Sequence, residues 1–110
     1  MIPAKKTTAR LHENRTVGVI AREAANFIAR EASDESLITV IRAVSLAHGE
    51  RANVFVSVFP EEKSRAALAF LERQRAAFSD YLKEHTLLSP LPHIDFLLDN
   101  REHLGGPSGN

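Results

Sequence analysis

Residues 37–59 read LITVIRAVSLAHGERANVFVSVF. Two β-branched runs flank a short polar segment, His48-Gly49-Glu50-Arg51. Val, Ile and Phe favour strands, and Gly marks a tight reversal, so the stretch predicts an antiparallel hairpin. In the second run Ala52, Val54, Val56 and Val58 point one way, and Asn53, Phe55, Ser57 and Phe59 the other. A period of two commits one face of that strand to a core. In the first run Val40, Val44 and Leu46 share parity, but Arg42 interrupts them and Ile41 and Ala43 oppose them. A β-bulge near Arg42-Ala43 accounts for the change of face.

The hairpin needs a cover, and the flanking segments supply one. From Leu11 to Ala32, the positions Val17, Ile20, Ala21, Ala24, Phe27 and Ile28 recur at helical spacing, with Arg22, Glu23, Arg30 and Glu31 opposite. That is an amphipathic helix with one buried stripe. Residues 1–9 are polar and unpatterned, so a flexible basic arm is expected there. After the hairpin, Pro60-Glu61-Glu62 suits a helix N-terminus and its dipole. The apolar stripe runs through Ala67, Leu68 and Leu71 and resumes at Phe78, Tyr81 and Leu82. Gln74 and Arg75 fall where it should continue, which predicts a kink or a junction of two helices within Arg73 to Ala77. Leu88-Ser89-Pro90-Leu91-Pro92 ends helical structure. His93-Ile94-Asp95-Phe96-Leu97-Leu98 alternates again, with Ile94, Phe96 and Leu98 inward. Residues 101–110 read as a flexible, Gly-rich tail.

The order is α-β-β-α-(kink)-α-β: a two-layer α+β domain over residues 10–100, with helices on one face of a three-stranded sheet. At 110 residues the chain is one domain, able to bury roughly two-thirds of its unfolded surface. There is no cysteine, hence no disulfide and no thiolate chemistry. No apolar stretch approaches the roughly 20 residues that span a bilayer. A cytoplasmic location and no membrane partner are expected.

Formal charge balances at 14 basic against 14 acidic residues, so any case for a polyanionic partner must come from distribution. Residues 1–15 carry Lys5, Lys6, Arg10 and Arg15 against Glu13 alone. Residues 64–83 carry Arg65, Arg73, Arg75 and Lys83 against Glu72 and Asp80. Acidic residues gather at Glu31 to Glu35, at Glu61-Glu62 and from Asp95 to Glu102.

The order of elements is that of a type II KH-like domain, and the chain resembles the bacterial ribosome-binding factor A family over about residues 10–100. The resemblance rests on the opening amphipathic helix, on ITVIRAVSLA followed by RANVFVSVF, and on PHIDFLLDN, which is similar to the family's closing pattern at Pro92, Ile94, Phe96 and Asp99. The family usually has Ala-x-Gly at the interhelical kink, where this chain has Gln74-Arg75-Ala76. Its Asp-Leu in the hairpin turn is replaced here by Gly49-Glu50.

The resemblance implies a non-enzymatic assembly factor that binds small-subunit rRNA and the immature small ribosomal subunit, acting as a monomer without cofactor or small-molecule substrate. Its implied RNA contacts are Lys5, Lys6, Arg10, Arg15, Arg65, Arg73, Gln74, Arg75 and Lys83. Arg suits the role because its planar fork holds phosphate oxygens in pairs. The same residues also fit a solvated helix face, with Glu72 beside Arg73 and Glu84 beside Lys83. A KH-like protein-interaction module that has lost RNA binding is the alternative.

Other residues admit two readings as well. Arg42 could reach RNA from the open sheet face, or pair there with a carboxylate. Phe55 and Phe59 could stack on bases, or pack under a loop. The five histidines show no paired helical metal spacing, and His93 with Asp95 has no evident third ligand. No nucleophile-elbow or phosphate-cradling motif occurs, so no enzymatic activity is expected.

Overall fold

The computed structural model describes the backbone over residues 2–99 and the side chains over residues 14–99. Three helices, α1 (Ile2–Glu31), α2 (Ser64–Arg73) and α3 (Arg75–His85), pack with three strands, β1 (Leu37–Leu46), β2 (Arg51–Phe59) and β3 (His93–Leu98). The sheet order is β1-β2-β3. The hairpin β1–β2 is antiparallel, while β3 returns parallel to β2 after the helical crossover. A parallel neighbour requires such a long connection, and α2 and α3 provide it.

The alternation of β2 is realised as expected. Ala52, Val54 and Val56 are buried, and Ile94 and Phe96 of β3 lie beside them on the same face. Ile20, Ala24, Phe27 and Ile28 of α1 cover that face together with Leu71 of α2 and Phe78, Tyr81 and Leu82 of α3. The four α1 positions follow the 3.6-residue period, which keeps them on one stripe. Phe78 sits at the centre, its ring 5.3 Å from that of Phe27 and 5.8 Å from that of Phe96. Tilted aromatic pairs at such distances add about 0.5–1.5 kcal/mol each beyond simple burial.

The bulge falls between Val40 and Arg42, leaving Ile41 as the extra residue. Before it, Val40 pairs with Val56; after it, Arg42 pairs with Phe55 and Ala43 with Val54. The parity of β1 therefore flips once, and Arg42 lands on the face away from the helices. The turn that follows is sharper than its sequence suggests: Ala47 (φ 52°), His48 (φ 55°) and Gly49 (φ 91°) are all left-handed. Only Gly adopts that region without cost, so Ala47 and His48 carry strain of about 1 kcal/mol each.

Two expectations concern the ends of the chain. Helix α1 begins at Ile2, so the backbone is helical over most of the stretch read as a flexible arm. Hydrophobic periodicity could not reveal this, because residues 3–10 include no apolar stripe. The expected tail at residues 101–110 lies outside the described residues.

Candidate nucleic-acid interface

The stripe does break where the polar pair interrupts it. Helix α2 stops at Arg73, Gln74 adopts φ −93° and ψ 4°, and α3 restarts at Arg75. The Gln74 amide donates to the carbonyls of both Phe70 and Leu71 at 3.1 Å, and the Gln74 carbonyl accepts from the Phe78 amide at 2.8 Å. The chain thus turns within one residue in the bridge region, which L-residues can occupy. No residue of the junction has a positive φ. That explains how Gln74-Arg75-Ala76 makes the junction without glycine.

The junction is fastened to the sheet through Asp95. Alternation along β3 buries Ile94 and Phe96 and sends Asp95 to the outer face. Its Oδ1 accepts from Arg75 Nη1 at 2.6 Å, and its Oδ2 accepts from Arg51 Nη2 at 2.8 Å. His93 Nε2 stands 3.4 Å from Oδ1. One carboxylate therefore holds two guanidinium groups that remain about half exposed, at 43% for Arg75 and 51% for Arg51. Charge-assisted contacts of this kind fix geometry more than they add stability.

A second arginine–carboxylate unit lies across the same face. Arg42 of β1 places its guanidinium 4.2 Å from the centre of the Phe55 ring. Its Nη1 is 3.2 Å from Asp99 Oδ2, but without hydrogen-bond geometry, so the pairing is electrostatic. The carboxylate reading of Arg42 describes its present partner. Phe55 is half-buried beneath it, whereas Phe59 is 73% exposed.

Among the described residues, the sequence-derived RNA contacts do not converge into one patch. Arg65 and Arg73 are exposed on α2 and form no ion pair among the described residues. Arg73 lines a groove of about 260 Å³ with Lys63, Phe70 and the Glu31–Ser36 segment at the C-terminal end of α1. Arg15 is exposed sixteen residues earlier in α1, about 24 Å along the helix from Glu31. Lys83 is exposed and stands 3.9 Å from Asp80, one helical turn away. Gln74 is half-buried at the junction. The side chains of Lys5, Lys6 and Arg10 lie outside the described residues.

Sequence reading missed Arg51 and the Asp95 network. Arg51 and Arg75 lie 44 and 20 residues from Asp95. The signal within reach was parity: both Arg51 and Asp95 occupy outward positions of strands that prove to be neighbours. Among the described residues, no cluster of three or more His, Asp or Glu side chains has the arrangement to hold a metal ion. No described helix is long and apolar enough to cross a membrane.

No protein-family model and no curated protein matches the sequence. The fold does match a solved structure. Over 76% of this chain and 92% of the other, it is similar to the crystal structure of ribosome-binding factor A from Thermus thermophilus, with a TM-score of 0.67 and 25% sequence identity. The α+β, KH-like architecture expected from the sequence is therefore the observed one, and it is shared with a ribosome-binding factor.

Proposed function

We propose that this protein is a ribosome-associated factor that binds small-subunit rRNA in the immature small subunit and assists its maturation. The observation that carries the reading is the fold likeness, which spans nearly all of a ribosome-binding factor A chain. The α2–α3 junction supports it: Arg73 is exposed there without an ionic partner among the described residues, and Arg75 is half exposed beside it. Such side chains contact phosphates without reading sequence. The protein acts as a monomer and by differential binding, stabilising one rRNA arrangement over another, with no reaction of its own. Its place of action is the cytoplasm.

Sedimentation of cell extract over a gradient tests this. The protein should travel with small-subunit particles at low salt and leave them as salt rises, because each phosphate contact releases counterions. Absence from those fractions at every salt concentration would refute the proposal. A KH-like protein-interaction module is the second reading, favoured by the zero net charge and by exposed Leu37, Leu97 and Phe59. It predicts a partner retained at high salt.

A further inference from the structure

The outer face of the sheet has no role in the α2–α3 reading, yet it is built as a platform. The helices pack on the Val54–Val56 face, which leaves Arg51, Asn53, Phe55, Ser57 and Phe59 of β2 pointing the other way. Residues two apart on a strand are spaced about 6.6 Å. Phe55 and Phe59 are therefore two ring positions about 13 Å apart, with a hydroxyl between them and an amide and a guanidinium beyond.

The chemistry of this face is not that of a plain apolar patch. The Arg42 guanidinium carbon lies 4.2 Å from the centre of the Phe55 ring, and Arg42 Nη1 lies 3.2 Å from Asp99 Oδ2, so two contacts hold the group over this face. Side-chain exposure of 34% leaves part of the group open to solvent. Arg51 and Arg75 are similarly fixed on Asp95. Asp95 is the sole acidic residue within the three strands, and Asp99 follows directly after β3. Among the described residues, three guanidinium groups thus face two carboxylates, a local positive excess in a chain whose formal total is zero.

We infer that the outer sheet face, centred on Arg42, Phe55 and Phe59, is a second nucleic-acid surface that takes single-stranded RNA by base stacking. The inference rests on the RNA-binding reading above but assigns a separate surface and a separate mode. Phosphates at the junction on α2 are met by Arg73; bases on the sheet stack on Phe59 and on the Arg42–Phe55 pair. Arginine planes and aromatic rings both accept unpaired bases, and every base offers a π-face, so the surface tolerates many sequences. Charge complementarity selects this occupant: a polyanion relieves the guanidinium excess, and an apolar protein surface would have to desolvate it.

Amide shift mapping by NMR with a short single-stranded RNA of mixed sequence tests this, together with affinities from fluorescence anisotropy. The largest shifts should fall on Arg42, Asn53, Phe55, Ser57 and Phe59. Phe59→Ala should weaken binding about tenfold with an unchanged melting temperature, since one stacked base is worth roughly that factor. Phe55→Leu keeps bulk between the strands and removes the aromatic face, and should weaken binding similarly; Arg73→Ala should leave the sheet shifts in place. Shifts confined to the α2–α3 junction, with both Phe variants at wild-type affinity, would overturn the inference and leave the ribosome proposal standing. Concentration-dependent shifts on this face without RNA would assign it to a second copy of the chain, and would also overturn it. No RNA binding at any salt would sink both readings.

Discussion

Arg75 donates to Asp95 across 2.6 Å, and this contact fastens the junction of α2 and α3 to the edge strand β3. Arg51 takes the second oxygen of the same carboxylate. Asp95→Ala should therefore act in two directions. Stability should fall by about 1 kcal/mol, or about 4–8 °C in melting temperature, because two guanidinium groups lose a shared partner. RNA affinity should rise, because Arg51 and Arg75 become available to phosphates. Thermal melts and RNA titrations of one variant check both signs; a stability loss accompanied by weaker RNA binding would show that Asp95 only holds the fold.

The core makes a harsher prediction. Val56 is fully buried among Val54, Phe96, Leu71 and Phe78. Val56→Asp puts a charge there with no partner, at a cost of several kcal/mol. That equals much of the roughly 5–15 kcal/mol by which a domain of this size is stable. Circular dichroism at about 25 °C should show a largely unfolded chain, and a variant melting within a few degrees of wild type would contradict the facing of β2.

Two glycines should respond oppositely to the same substitution. A Cβ added at Gly18, on the exposed side of α1, meets nothing within 4 Å, and the same holds at Gly49. Gly18→Ala should stabilise by about 0.5–1 kcal/mol, since it lowers the entropy lost by the helix backbone. Gly49 has φ +91°, where a side chain is strained whatever the space. Gly49→Ala should destabilise by about 1 kcal/mol. Urea denaturation of the pair measures both, and equal signs would refute the backbone argument.

The turn itself offers a gain. Ala47 holds φ 52° without glycine's freedom. Ala47→Gly should raise stability by less than about 1 kcal/mol, because the extra freedom of the unfolded chain offsets part of the strain removed. A variant less stable than wild type would show that the unfolded-state term dominates.

Much of this fold was legible, because burial writes itself into spacing. The valines of β2, the α1 stripe of Ile20, Ala24, Phe27 and Ile28, and the interruption at Gln74-Arg75 each carry a period or a break in one. The position of the bulge was legible to within a residue, because the charged Arg42 interrupts the parity shared by Val40, Val44 and Leu46. The left-handed turn was not, since Ala47 carries no signal for positive φ. The candidate interface was legible only in part. Charge counts found Arg65, Arg73 and Arg75 as residues but could not show that Arg75 is tethered to Asp95 while Arg73 has no ionic partner among the described residues. Nor could they place Arg15 near the middle of α1, about 24 Å along the helix from the end that lies beside Arg73. Such facts depend on contacts far apart in sequence, which local periodicity does not encode.

The central claim is that association with small-subunit rRNA runs through phosphate contacts, with Arg73 among them. The most direct measurement is the salt dependence of RNA binding for the wild type and for Arg73→Ala. Arg73 is exposed and forms no ion pair among the described residues, so its removal should change stability by under about 0.5 kcal/mol. Wild-type affinity should fall steeply from low to physiological salt, and the variant's slope should be shallower by about one unit of log affinity per log salt. A wild-type affinity indifferent to salt, or a slope unchanged by the substitution, would contradict the account.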